Sequence, residues 1–374
     1  RIITKIISFI MKKIKVFVDE NINLLAESLQ NFADVTTFSG RNLTNKDLIN
    51  SECEILFTRS QTKMNEELLK NSKVRLIATA TSGTDHFDLD YLNKSGIEYY
   101  SAAGCNANSV AEYVVYSILK WAFINNISLK YKKIGIIGFG NIGKIVAAYS
   151  NELGLEVYVN DPPLLDNSFV FPKDIKYSDL KEIFESCDII TNHVPLTFTG
   201  KYKTHNLIGN ELLNVTKSGN FIIHHSRGGI INETDLIETA KMKNLFMSID
   251  VWDGEPNFNR ILAGLSFLAT PHIAGYSYNG KLNGTMILLK LFENYTGIKP
   301  NYDLVNFELD KNKCKKISDF KNSIDLMNHI ETNRRFEYDV DKFKKLISYD
   351  ESTAKSEFDL LRKTYSKRHE CLKT

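Results

Sequence analysis

Short apolar runs alternate with helix-like segments over most of this chain. Four apolar runs in the first hundred residues predict buried strands, at 14–18, 54–58, 74–79 and 97–100. Three segments next to them predict helices, near 22–31, 64–71 and 88–95. This alternation is typical of βαβ units, in which helices cover both faces of a parallel sheet.

The same rhythm restarts after a long helix predicted at about 109–125. Six further strands are predicted, at 132–138, 155–161, 187–193, 220–225, 245–251 and 265–270. A helix at 141–154 ends at Gly154, and Asn232 is a good N-cap for a helix at 232–243. From about residue 300 the chain becomes highly charged and poor in glycine, which predicts a third, smaller element. The predicted fold class is therefore α/β, with two doubly wound parallel-sheet (Rossmann-like) domains.

Composition fits an ordinary soluble protein of two or three domains, with 374 residues, 43% of them hydrophobic and 25% charged. The net charge of +2 gives no reason to expect nucleic acid or a membrane as partner. No apolar run approaches the roughly 20 residues that span a bilayer. The five scattered cysteines include no C-x-x-C pair, which favours a reducing, cytoplasmic setting. Residues 1–10 are expected to be an extension outside the fold, or alternatively a signal-peptide remnant.

The stretch "GFGNIG" places Gly138, Gly140 and Gly143 in G-x-G-x-x-G spacing between a predicted strand and a predicted helix. In such a turn the glycines allow a tight bend, close approach of a pyrophosphate and close packing of helix on strand. Free N–H groups at the start of the helix, at Asn141 and Ile142, would face the phosphates. The alternative is a glycine turn that serves packing alone.

Asp161 ends the next predicted strand, 18 residues after Gly143. A carboxylate there can accept hydrogen bonds from the ribose hydroxyls of NAD, whereas it would repel the 2′-phosphate of NADP. No arginine follows it directly. The predicted cofactor is therefore NAD, although a surface aspartate without a ligand would look the same in isolation.

Three further segments carry a resemblance: "HHSRGGIINETDL", "IDVWDGEP" and "TPHIAGYSYNGKLNGT". Together with the glycine turn they are similar to the D-2-hydroxyacid dehydrogenase family, over roughly residues 12–300 and partly beyond. The resemblance implies a substrate-binding domain at 11–108 plus 273–298 and an NAD-binding domain at 109–272, with the active site in the cleft between them. It also implies a small α+β domain at 299–374 that forms a homodimer.

The resemblance assigns roles to individual residues. It implies three catalytic residues: Arg227 binds the substrate, Glu255 orients the histidine, and His272 is the acid/base. It implies further NAD contacts at Asp161, Val194, Asp250 and Gly275, and substrate contacts at Ser60, Thr81 and Tyr276. From the residues themselves, Arg59 and Lys63 flank Ser60 and would either bind a substrate phosphate or be solvated surface charges.

These residue types fit the oxidation of a 2-hydroxy acid, which removes a proton from oxygen and a hydride from the adjacent carbon. Histidine titrates near neutral pH and can take the proton, a glutamate can fix its tautomer, and arginine offers a planar fork to a carboxylate. Singly, Arg227, Glu255 and His272 have structural explanations. Jointly, at the ends of predicted strands, they favour catalysis. The other histidines show no metal-ligand spacing, so no metal is expected.

The resemblance implies NAD-dependent oxidation of a four-carbon, phosphorylated 2-hydroxy acid by a homodimer, and the cysteine pattern favours a cytoplasmic setting. Two alternatives stay open at this point. One is another dehydrogenase of the family, such as one that acts on 3-phosphoglycerate. The other is a non-catalytic protein that senses NAD on the same fold.

Overall fold

The computed structural model describes residues 13–374, so the extension predicted at residues 1–10 lies outside the described residues. The chain divides into two compact units, each built from two separate stretches. One comprises the described residues up to Asn106 together with Tyr278–Asn312, and the other comprises Ala107–Ser277 together with Lys313–Thr374. Within the described residues, no helix is both long enough and apolar enough to cross a membrane.

The first unit contains a five-stranded sheet in the order β2-β1-β3-β4-β5, with every pairing parallel. Its strands are β1 (Lys15–Asp19), β2 (Asp34–Phe38), β3 (Ile55–Thr58), β4 (Leu76–Thr79) and β5 (Glu98–Ser101). Its helices are Leu25–Leu29, Asn45–Ser51, Glu66–Leu69, Leu89–Ser95, Tyr278–Thr296 and Asp303–Asp310. Strands β3 and β4 are buried along their whole length because apolar side chains pack against both faces. Leu56 belongs to one apolar cluster and Phe57 to another, as the two-residue period of a strand requires.

The second unit contains a seven-stranded parallel sheet in the order β12-β11-β10-β9-β6-β7-β8. Its strands are β6 (Lys133–Ile137), β7 (Glu156–Asn160), β8 (Ile175–Tyr177), β9 (Ile189–Asn192), β10 (Phe221–His224), β11 (Phe246–Ile249) and β12 (Leu268–Ala269). The helix Ala107–Ile124 precedes these strands, and the helices between them are Asn141–Glu152, Pro162–Asp166, Leu180–Ser186, Asn210–Val215, Glu233–Lys243 and Arg260–Leu265. The prediction of two parallel-sheet α/β units is confirmed.

The segment from Lys313 onward packs within the second unit. It consists of the helices Ser323–Arg334, Phe336–Lys345 and Glu351–Lys363, with short 3₁₀ turns at Ile317–Asp319 and Leu346–Ser348. The resemblance implied an α+β fold here, but the β structure of this segment is a single isolated bridge between Lys315 and Leu372. A helical fold suits its charged sequence, since each helix buries only a narrow stripe of apolar residues such as Phe343 and Phe358. The predicted domain limits and the dimerisation role of this segment stay predictions.

Candidate active site

The glycine-rich turn connects β6 to the helix Asn141–Glu152. Gly138 has φ +91, and a Cβ placed there would lie 2.9 Å from the carbonyl oxygen of His193. A Cβ at Gly143 would collide with the carbonyl oxygen of Gly138. These two glycines are therefore required by the protein's own packing. A Cβ at Gly140, in contrast, would meet nothing within 4 Å, so the second glycine leaves open the space that a pyrophosphate would fill.

The backbone N–H groups at the start of this helix suit an anionic ligand. Gly140 is the N-cap residue and supplies no side-chain acceptor, so Asn141 and Ile142 begin a helix without a side-chain cap. Val194 lies against the same turn, since its Cγ1 would be 2.9 Å from a Cβ at Gly138. The residues present therefore fit the phosphates of a dinucleotide.

Asp161 follows β7 and braces the glycine turn. One carboxylate oxygen accepts a hydrogen bond from the N–H of Phe139 at 2.8 Å, and the other accepts from the N–H of Leu164 at 3.0 Å. The side chain is half-buried. Each carboxylate oxygen can accept more than one hydrogen bond, so Asp161 keeps acceptor capacity for ribose hydroxyls.

The predicted acid/base pair is formed in the second unit. His272 Nδ1 lies 2.8 Å from Glu255 Oε2, and Glu255 Oε1 accepts from the N–H of Trp252 at 3.0 Å. Burial alone would raise the pKa of Glu255, but the charge of His272 and its hydrogen bond outweigh that effect and lower it. Because the ionised Glu255 accepts from Nδ1, Nε2 is the ring nitrogen that can exchange a proton with a ligand.

Asp250 holds the backbone beyond His272 in place. It is fully buried, and it accepts hydrogen bonds from the N–H groups of Ile273 at 2.8 Å and Ala274 at 2.9 Å, and from the hydroxyl of Thr270 at 2.7 Å. Burial raises the pKa of Asp250 to about 6. The resemblance implied an NAD contact for this residue, and the structure places its carboxylate beneath the segment that carries the histidine. Gly275 continues that segment and is half-buried.

A buried ion pair supports the same segment from the other side. Arg334 and Glu112 form an ion pair in which both side chains are 0% exposed. Arg334 Nη2 also donates to the carbonyl oxygen of Tyr276 at 3.1 Å and to Ser109 Oγ at 2.8 Å. Ser109 in turn donates to the carbonyl oxygen of Ala274 at 2.7 Å. The backbone around the predicted substrate contact Tyr276 is therefore fixed by the C-terminal segment.

Arg227 follows β10 above a layer of buried polar side chains. Its Nη1 donates to the carbonyl oxygen of Ser226 at 2.9 Å. The Ser226 hydroxyl donates to the side chain of Asn192, whose Nδ2 lies 3.0 Å from His224 Nδ1. Burial lowers the pKa of His224 to about 3, so its imidazole is neutral. This layer gives Arg227 a rigid base while its side chain remains partly exposed.

Arg362 is a site residue that the sequence analysis missed. It lies near the end of the helix Glu351–Lys363, with Nη1 3.9 Å from Glu255 Oε2. Its guanidinium carbon is 5.9 Å from the centre of the Tyr276 ring. The stretch that contains it, "FDLLRKTYSKRHE", is so rich in charge that a single arginine there is indistinguishable from a solvated surface residue.

The remaining predicted substrate contacts belong to the five-stranded unit. Arg59 and the exposed Ser60 follow β3, while Thr81 follows β4 and lies with its Oγ1 2.8 Å from Thr79 Oγ1. Desolvation and the charge of Arg59 lower the pKa of Lys281, so these two cations are neighbours. The substrate-binding roles of Arg59, Ser60 and Thr81 stay predictions.

Comparison with known proteins places this site in a family. Residues 114–274 match the model described as "D-isomer specific 2-hydroxyacid dehydrogenase, NAD binding domain". Erythronate-4-phosphate dehydrogenase of Marinomonas sp. (strain MWYL1) is 36% identical to this chain, over 95% of this chain and 93% of that protein. The chain therefore belongs to the D-isomer specific 2-hydroxyacid dehydrogenase family. A second relative with the same name, from Azotobacter vinelandii, is 35% identical over the same shares of the two proteins.

Solved structures show the same fold. A crystal structure of NAD⁺-bound 3-phosphoglycerate dehydrogenase from Entamoeba histolytica is 27% identical, with a TM-score of 0.62, and the match covers 76% of this chain and 96% of that chain. D-lactate dehydrogenase from Aquifex aeolicus is 22% identical with a TM-score of 0.58, covering 76% of this chain and 95% of that chain. About a quarter of this chain lies outside each of these matches.

Proposed function

We propose that this chain is an erythronate-4-phosphate dehydrogenase, which oxidises 4-phospho-D-erythronate to 2-oxo-3-hydroxy-4-phosphobutanoate with NAD. The reaction is a step in the biosynthesis of pyridoxal 5′-phosphate. The names of the curated relatives support the substrate, and the glycine turn with Asp161 supports the cofactor. The observation that carries the proposal is the 2.8 Å contact between Glu255 and His272 in the unit that contains the glycine turn.

The geometry supports the following division of work. Arg227 binds the substrate carboxylate through its planar fork and so orients the reacting carbon. His272 takes the hydroxyl proton at Nε2, and Glu255 stabilises the imidazolium that results. When bound, NAD supplies the acceptor for the hydride. A protein that only sensed NAD would have no use for an oriented histidine–carboxylate pair, so this arrangement favours an enzyme.

We also propose that the chain acts as a cytoplasmic homodimer that assembles through residues 299–374. The resemblance of this segment to a dimerisation domain supports the proposal. Sedimentation equilibrium of the whole chain would measure its mass in solution, and the mass of a single chain at micromolar concentration would refute the dimer.

A panel of four acids tests the proposed activity: 4-phospho-D-erythronate, 3-phosphoglycerate, D-lactate and D-glycerate. NADH formation is followed by its absorbance, with the His272→Asn variant as a control that any signal comes from this site. We expect the highest kcat/KM with 4-phospho-D-erythronate. A higher value with 3-phosphoglycerate would favour the alternative dehydrogenase, and no signal with any acid would refute the proposal.

A further inference from the structure

Arg362 places a guanidinium beside the catalytic pair. Its Nη1 is 3.9 Å from Glu255 Oε2, and that same oxygen is 2.8 Å from His272 Nδ1. The same carboxylate oxygen therefore contacts both the guanidinium and the imidazole. Arg362 is carried by the C-terminal helical segment, outside the residues 114–274 that match the family's NAD-binding domain.

The guanidinium is held in place, but its donors are not all used within the protein. The distance to Glu255 is an ion-pair distance and exceeds that of a hydrogen bond. Its Nε is buried, and among residues 13–374 it has no hydrogen-bond partner. Buried donors without a partner are uncommon in folded proteins and call for an explanation. The side chain as a whole is 28% exposed, so an anionic ligand can approach the guanidinium although Nε itself is covered.

The chemistry of the proposed substrate supplies such a ligand. The molecule carries a carboxylate next to the reacting carbon and a phosphate ester two carbons beyond it. Arg227 is assigned to the carboxylate, so the phosphate requires another cation. A planar guanidinium matches the oxygens of a phosphate well. Arg362 lies in the same compact unit as the catalytic pair, with Nη1 3.9 Å from Glu255 Oε2, which makes it the candidate for this cation.

We propose that Arg362 binds the phosphate group of the substrate and thereby sets the preference for a phosphorylated 2-hydroxy acid. The inference rests on the proposed function, which it deepens by naming the specificity-determining residue. It assigns to the C-terminal segment a direct part in substrate recognition, in addition to its support of Tyr276.

Binding measurements test this without requiring turnover. Calorimetry on the NADH complex of the whole chain gives the Kd of 4-phospho-D-erythronate and of D-erythronate, and inorganic phosphate serves as a competitor. The variants are Arg362→Gln, Arg362→Lys and Arg59→Gln. The matched control is Lys363→Gln, which removes an exposed charge from the next position of the same helix. Wild-type affinity for NADH shows that each variant is folded.

We expect Arg362→Gln to weaken binding of 4-phospho-D-erythronate by roughly 10- to 100-fold, the range for hydrogen bonds to charged groups. Competition by inorganic phosphate should weaken in parallel, while the Kd of D-erythronate should change by less than about threefold. Arg362→Lys should retain part of the affinity because lysine keeps the charge without the fork. Lys363→Gln should behave as wild type.

Three results would overturn the inference. Equal weakening for both acids in Arg362→Gln would mean that the residue only supports Glu255. Loss of phosphate discrimination in Arg59→Gln, with Arg362→Gln unaffected, would place the phosphate at Arg59. If the wild-type protein bound neither acid, the proposed function would fall together with this inference, whereas the first two results would leave the proposed function standing.

Discussion

The two units have the same architecture, but the side chains that follow their strands differ in how they are supported by buried polar groups. In both, a parallel sheet carries the candidate ligand residues in loops after the carboxyl ends of its strands, where α/β folds bind ligands. In the five-stranded unit these are partly exposed side chains such as Arg59 and Ser60. In the seven-stranded unit they rest on buried polar groups, of which Asp250 and the Glu112–Arg334 pair are the clearest. The comparison teaches that the fold provides a location, while a buried polar framework gives the side chains there a fixed geometry.

Substitution of one histidine in each unit should give the largest difference between the units, which is a difference in kcat. We expect His272→Asn to lower kcat by about 10²- to 10⁴-fold, the usual contribution of a positioned acid/base group. NADH affinity should hardly change. His86→Asn in the five-stranded unit should leave kcat within about threefold, because burial already keeps His86 neutral, with a pKa of about 4.

Steady-state kinetics and NADH fluorescence titration measure both quantities. Should His272→Asn keep its turnover and lose NADH affinity, the histidine would be structural. The contrast between the units would then be one of stability alone.

A comparison of one buried and one surface ion pair tests how much the buried polar groups contribute to stability. Arg334→Leu should lower the free energy of unfolding by about 3–5 kcal/mol, because it leaves the buried Glu112 without its ion-pair partner. Burial raises the pKa of Glu112 to about 7 in spite of Arg334. Arg75→Leu removes a surface pair with Glu54 in the five-stranded unit, and it should cost about 0–1 kcal/mol. Urea unfolding measures both values, and similar costs would remove the distinction between the frameworks.

Acid stability sharpens the comparison further. Burial lowers the pKa of His224 to about 3, whereas an unfolded imidazole binds its proton below about pH 6.5. The unfolded state therefore binds more protons over this interval, so stability rises with pH and is lost on acidification. Wild type should lose on the order of 2 kcal/mol through this residue between pH 7 and pH 5, and His224→Gln should not. His86 should contribute to the loss of stability on acidification in the same way, down to about pH 4, and His86→Gln should remove that contribution. Identical pH profiles for wild type and His224→Gln would contradict the assignment.

The smallest expected effects come from substitution of two aspartates, one in each unit, that each cap a helix. Asp161 accepts from the N–H of Leu164, and Asp88 in the five-stranded unit accepts from the N–H of Tyr91. Asp161→Ala should weaken NADH binding roughly tenfold and narrow the gap to NADPH, because an acceptor and a repulsion both disappear. Asp88→Ala should cost only about 1 kcal/mol of stability. An unchanged NADH/NADPH ratio in Asp161→Ala would mean that another residue reads the ribose.

Much of the fold could be predicted because buried parallel strands are apolar along their whole length. The edge strands Asp34–Phe38 and Ile175–Tyr177 were missed, since neither contains a buried residue and neither carries an apolar run. The helical fold of the C-terminal segment also differs from the predicted α+β fold. Its charged sequence contains few signals that separate short strands from helices.

The candidate site was predicted in a similarly uneven way. The pairing of Glu255 with His272 was implied by the family resemblance, and both residues follow predicted strands of one sheet. The placement of Arg362 was not, because a helix far along the chain brings it to the site and nothing local marks it. The burial of Asp250 beneath the histidine segment was also beyond the motif, which gives a residue type but no orientation.

The Glu112–Arg334 pair has a consequence for biosynthesis. Its members are 222 residues apart in the chain, so the helix Ala107–Ile124 leaves the ribosome long before its counter-charge exists. Because burial of a carboxylate without its counter-charge is costly, Glu112 is expected to stay solvated until Arg334 has been synthesised. The core of the five-stranded unit is likewise incomplete until the helix Tyr278–Thr296 has been synthesised, because that helix contributes buried apolar side chains to it. Neither unit can be completed before its second stretch is synthesised, so apolar surface of both units stays uncovered for much of translation.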